Sequence, residues 1–160
     1  MKALTIVLLL ALLALAGPAD AELHTLEALI DGGQEVPPSG SPATGFGFVT
    51  FDDVTGDLSW DISWSALTGP ATAMHFHGPA PAGANAGVQV NVGAISGLTS
   101  PSIGSTNIVA GQAADLLSNL WYINIHSAQF PGGEIRGQVF LMVSTPNEPS
   151  TWSRVKDLYR

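Results

Sequence analysis

From Leu58 to Ser65 apolar and polar side chains alternate without a break, Leu-Ser-Trp-Asp-Ile-Ser-Trp-Ser. Period-two alternation marks a strand with one face in a core and the other toward water. Phe46, Phe48, Val49 and Phe51 precede it, and the connection Asp52-Asp53-Val54-Thr55-Gly56-Asp57 is dense in turn formers, so the two runs read as a hairpin. Further strands are expected at Leu26–Ile30, Thr72–Phe76, Val88–Val92, Trp121–His126 and Glu134–Val143, separated by Gly- and Pro-rich connections at 32–42, 78–87, 97–105 and 131–133. Gln112–Asn119, with Ala113, Ala114, Leu116 and Leu117, departs from this pattern and predicts one short helix leading into the next strand. Six or seven short strands with almost no helix predict an all-β fold, a β-sandwich or Greek-key barrel. No internal repeat is visible.

The two ends follow other patterns. Lys2 precedes the apolar run Ala3–Ala16, and Ala19-Asp20-Ala21 has the small-x-small form of a cleavage site, so residues 1–21 read as a secretory signal peptide. The run is shorter than the roughly 20 apolar residues that span a bilayer, so no integral membrane span is expected. The mature chain is expected to begin at Glu22 and to be secreted or periplasmic, with a β-domain over residues 22–143. In residues 144–160, Pro146 and Pro149 bracket a polar linker, and Trp152, Val155 and Tyr159 would share one side of a short amphipathic helix.

Charge sharpens this division. The whole chain carries a net charge of −8. Between Glu22 and Val143 ten acidic residues face a single base, Arg136, whereas the tail holds Arg154, Lys156 and Arg160. An acidic body repels phosphate backbones and anionic lipid, which excludes nucleic acid and leaves a cation as the plausible small ligand. With no cysteine, an exported chain of this kind must hold itself together by packing and backbone hydrogen bonds.

Four blocks resemble the CHRD domain, named from chordin and found in exported bacterial proteins. They are "LEALIDGGQEVPPSGSPATGFGFVTFD", "GDLSWDISWSAL", "LTGPATAMHFHGPAPAGANAGVQV" and "AADLLSNLWYINIHSAQFPGGEIRGQV", covering about residues 23–143. The resemblance implies an immunoglobulin-like β-barrel and brings no settled activity with it. Chordin's growth-factor antagonism is not implied, because the cysteine-rich modules that accompany the domain there are absent.

Three of the four histidines fall in the two blocks with the most specific wording. His75 and His77, two apart on a strand, share the face opposite Met74 and Phe76; His126 shares a face with Tyr122 and Asn124, opposite Ile123 and Ile125. If the apolar faces meet in the core, all three imidazoles leave it on the polar side. A His-x-His strand with a third histidine on a neighbouring strand can hold copper or zinc. The alternative is that the rings hydrogen-bond carbonyls of the adjoining turns. The "HFHG" string is similar to the metal-binding strand of copper-zinc superoxide dismutase, but the other dismutase ligands and cysteines have no counterparts here. His24 would stand third in the mature chain, where it could join a terminal copper chelate or simply be exposed.

Arg136 shares a face with Glu134 and Gln138, and a lone guanidinium among acids is expected to act as a structural clamp, reaching Glu35 or Asp31, with anion or ligand binding as the alternative. No nucleophile elbow, phosphate loop or dinucleotide fingerprint is present. Ser127 and His126, adjacent on a strand, point to opposite faces and cannot pair as nucleophile and base. Two readings therefore stand: a non-enzymatic module binding an unknown protein or extracellular ligand, and a metalloprotein using His75, His77 and His126.

Overall fold

The computed structural model describes residues 22–142. The expected leader and basic tail lie outside these residues, as does Val143. The elements run in the order β1 (Leu23–Asp31), β2 (Thr44–Asp52), β3 (Asp57–Ser65), β4 (Ala71–His77), β5 (Val88–Asn91), α1 (Val92–Ser96), β6 (Ser102–Asn107), α2 (Ala110–Leu117), β7 (Tyr122–Ser127), β8 (Ile135–Gln138) and β9 (Phe140–Leu141), with a 3₁₀ turn at Gly32–Gln34. No helix among the described residues is long and apolar enough to cross a membrane.

All nine strands belong to one antiparallel sheet ordered β5-β4-β7-β8-β1-β2-β3-β6, with β9 also pairing β1. The hairpin expected from the alternation is β2–β3, in register from Phe51 opposite Leu58 to Thr44 opposite Ser65. The sheet curls into a half-barrel. Trp60 on β3 meets Phe76 on β4 edge to face at 5.7 Å, although four strands separate β3 from β4 in the sheet order. Only a strongly curved sheet brings those two rings together. Their shared core includes Leu26, Ile30, Leu58, Ile62, Met74, Trp121, Ile123, Ile125 and Ile135, all closed to solvent.

Helix α1 packs on both β4 and β6, and α2 adds Leu116 to the core. Asn91 caps α1, its side-chain oxygen accepting from the Ala94 N–H. Within α1, Ser96 Oγ accepts from Trp60 Nε1 at 3.0 Å and lies 2.7 Å from Ser102 Oγ. The alternation pattern predicts neither α1 nor β6. In β6 the inward positions are Ser102, Gly104 and Thr106, which carry no apolar signal; a side chain at Gly104 would run into the Trp60 ring and Ser96. The expected helix at 112–119 is α2, shifted two residues toward the amino terminus, with Gln112 Oε1 accepting the Val109 N–H.

The polar face of the sheet departs from expectation in one respect. Every residue of β7 is buried. Ile123 and Ile125 enter the apolar core, while Tyr122, Asn124 and His126 face the other way and are also closed off. Loops at 33–36, 80–86 and 130–133 fold over that face, so a polar layer with its own interior replaces a water-facing surface.

Candidate metal centre

Register builds the centre. On β4, His75 pairs with Asn124 and His77 with Tyr122, while His126 pairs with Ala73. His126 is therefore diagonal to His75 on a shared face, within reach of a long side chain. His75 and His126 ring centroids are 5.2 Å apart, His75 and His77 5.3 Å, and His77 and His126 6.4 Å. One ring nitrogen from each lies within 4.8 Å of the others.

Backbone carbonyls orient two of the rings. Ala86 O lies 3.0 Å from His77 Nδ1, and Pro131 O lies 3.0 Å from His126 Nδ1. A carbonyl only accepts, so both Nδ1 atoms carry protons and each neutral ring keeps its lone pair on Nε2. The same arrangement, with the outer nitrogen donating to a carbonyl, fixes metal-ligating histidines generally. His126 Nε2 lies 3.3 Å from His75 Nδ1. That distance suits a hydrogen bond, and it also matches the edge of about 3.3 Å expected between two imidazole nitrogens on tetrahedral zinc with Zn–N of about 2.0–2.1 Å. His77 Nε2 is closed to solvent and has no hydrogen-bond partner.

All three imidazoles are held below the usual histidine pKa. Burial is the main cause for each, assisted at His75 by the neighbouring imidazoles and at His77 by His126 and Arg136, and opposed at His77 and His126 by the hydrogen bonds that these rings donate to backbone carbonyls. They are neutral near pH 7, the form that binds metal.

A cation–aromatic stack supports His77 from the side. The His77 and Tyr122 rings are parallel at 5.0 Å, and the Arg136 guanidinium carbon lies 3.5 Å from the Tyr122 centroid. Because β4 and β8 flank β7 on opposite sides, Tyr122 stands between the imidazole and the guanidinium. Tyr122 Oη accepts from the Ala86 N–H at 3.0 Å and lies 3.3 Å from Ala86 O, the carbonyl that holds His77.

Arg136 is buried, but it does not reach the carboxylates expected. Its guanidinium donates to Ala84 O at 2.8 Å and Asn85 Oδ1 at 3.1 Å, with Gln138 Oε1 at 3.4 Å. Asp31 is engaged elsewhere: its carboxylate caps the 3₁₀ turn, accepting from the Gly33 and Gln34 N–H groups and from Gln34 Nε2. Glu35 accepts from Asn124 Nδ2 at 2.5 Å. Burial pushes the Glu35 carboxyl up to about 7, against the lowering effects of Asn124 and Arg136. Gly133, at φ +132°, permits this pairing; any side chain there would strike Glu35 and Asn124.

Glu134 is fully enclosed. Its carboxylate accepts from Ser41 Oγ at 2.8 Å, the Thr68 N–H at 2.8 Å and Thr68 Oγ1 at 2.9 Å, and its own N–H donates to Ile125 O. Burial alone would raise its pKa, but hydrogen bonds from Ser127, Thr68 and Ser41 together hold it lower. Ser127 Oγ sits 3.2 Å from Thr68 Oγ1, on the far side of the strand from His126. Glu35, Tyr122 and Asn124 thus line the centre, a role the sequence alone does not assign them, although Glu35 is expected near Arg136 and the other two on the face of His126. Tyr122 and Asn124 carried a signal, alternating with Ile123 and Ile125 on the face of His126.

Comparison with known families bears on the same residues, since a CHRD domain model matches residues 26–139, most of the chain. The chain belongs to the CHRD family. The matched span runs from the start of the β1 core to Val139 and so includes His75, His77, His126, Glu134 and Arg136. Neither the curated proteins nor the solved structures offer a match. Membership in the CHRD family suggests a binding or structural module.

Proposed function

We propose that this CHRD domain is an exported, non-enzymatic metal-binding module that holds copper or zinc on His75, His77 and His126. The observation that carries the reading is His77 Nε2, a buried lone pair without a partner, on a ring that offers one nitrogen within 4.8 Å of nitrogens of His75 and His126. A purely structural trio explains the carbonyl bonds of His77 and His126 but leaves this atom desolvated at a cost of about 1–3 kcal/mol. A cation removes that cost. Three protein ligands leave a fourth position for solvent or a partner's side chain, and His75 is only half-buried, which gives an ion a way in.

The donor set narrows the metal. Neutral imidazoles suit zinc and copper, and the divalent affinity order places copper above zinc. Copper would bring redox behaviour, zinc would not. The exported location rests on the leader at residues 1–21, and the acidic body favours cations over anionic partners. Metal analysis of the exported chain, purified without an affinity tag, tests the proposal. Bound copper or zinc that is lost in His75→Ala and His126→Ala supports it; protein that neither carries metal nor takes it up rejects it.

A further inference from the structure

A second group of ligand atoms lies at the start of β1, away from the three-histidine centre. Glu22, His24 and Asp53 each offer one atom, and these lie within 4.8 Å of one another. His24 Nε2 is 3.6 Å from Asp53 Oδ2, beyond hydrogen-bond length; it is closed to solvent and makes no hydrogen bond. The ring is fixed from behind by stacking on Phe51 at 6.2 Å. Asp53 Oδ1 accepts from the backbone nitrogen of Glu22 at 2.9 Å.

The β2–β3 turn does not need Asp53. Asp52 Oδ1 accepts the Val54 and Thr55 N–H groups and closes the turn, and Asp57 is occupied by Thr55 and Asn107. Asp53 is thereby left to face the first residues of β1. In the unprocessed chain the Glu22 nitrogen belongs to a peptide group, with a proton to donate and no lone pair for a cation. Cleavage after Ala21 turns the same nitrogen into an α-amine, which after losing a proton offers a lone pair beside Asp53.

We propose that removal of the leader completes a second cation site, built from the α-amine and carboxylate of Glu22, the His24 imidazole and the Asp53 carboxylate. Two nitrogen and two oxygen donors suit copper(II) first and zinc second. The site would tie the new amino terminus to the β2–β3 turn and would be absent from the precursor, so that metal uptake here reports processing. This inference rests on cleavage at Ala21 and not on the three-histidine centre.

The test uses the exported chain carrying His75→Ala and His126→Ala, its amino terminus read by mass spectrometry and its uptake of Cu(II) and Zn(II) measured by titration. The expected result is a terminus at Glu22 and one bound equivalent, weakened about tenfold or more by His24→Gln, by Asp53→Asn, and by one added serine ahead of Glu22. The serine extension leaves every side chain in place, so its effect reads the α-amine alone. A terminus at another residue, no uptake, or equal affinity in the extended chain overturns the proposal.

Discussion

His75 Nδ1 and His126 Nε2 approach to 3.3 Å across two neighbouring strands, with Pro131 O holding the far side of the His126 ring. The strand register and the 131–133 turn together set this pair, and the 84–86 loop brings His77 to it. The centre therefore depends on loops that residues outside it hold in place.

Arg136 is the most consequential of these residues. Replacement by Lys keeps the charge but loses the planar fork to Ala84 and Asn85 and the stack on Tyr122. Arg136→Lys is expected to lower stability by about 1–3 kcal/mol, seen as a drop in melting temperature. Because the same loop orients His77, metal affinity should fall about 10- to 100-fold, as for other outer contacts of metal ligands. An unchanged melting temperature together with unchanged affinity would remove Arg136 from the account.

Acid should destabilise the metal-free domain through its histidines. Their folded pKa values lie below the unfolded value of about 6.5, so above that pH both states are neutral and the groups contribute nothing to pH dependence. As pH falls through about 6.5 the unfolded chain takes up protons first, and stability declines. Melting curves recorded in chelator from pH 8 to pH 5 check this, and His126→Asn should flatten the decline. Glu35 acts oppositely: its folded pKa is raised from 4.5 to about 7, so its contribution is full below pH 4.5 and is lost as pH rises through 7. Glu35→Gln should therefore match the wild type near pH 4.5 and melt higher than it at pH 8. Identical melting temperatures at pH 8 would contradict the Glu35 assignment.

Glu134 joins the β8 end of the sheet to the segments around Ser41 and Thr68. Removing its carboxylate in Glu134→Ala strands buried donors at a cost of about 2–3 kcal/mol or more. Its folded pKa is lowered, so the contribution is present above the unfolded pKa near 4.5 and is lost as pH falls below it. Glu134→Gln should flatten the acid limb of the stability profile in that range. Denaturant unfolding between pH 3 and pH 6 measures both effects, and equal slopes in wild type and variant would contradict the assignment.

The parts of this fold that bury an alternating apolar face were legible in the residues. Leu58 to Ser65 announces β3, and the hairpin with β2 follows from the turn formers between them. β6 was not legible, because its inward positions are small to admit Trp60 and Ser96. The histidine trio could be read as facing one side of two strands, but whether β4 and β7 are neighbours, and in what register, depends on pairings far apart in sequence. The burial of that face was also hidden: loops rich in Gly and Pro cover it, and their carbonyls and N–H groups, which no side-chain pattern encodes, supply most of the contacts. The carboxylate expected for Arg136 is engaged elsewhere in both cases: Asp31 caps its own 3₁₀ turn, a local contact, and Glu35 pairs with Asn124, 89 residues away in sequence.

Calorimetric titration of Cu(II) and Zn(II) into the metal-stripped exported protein, wild type against His77→Ala, tests the central claim most directly. Loss of one tight equivalent in His77→Ala, with the β-rich circular dichroism spectrum retained, is the predicted result. The same number of equivalents at the same affinities in both proteins would contradict it.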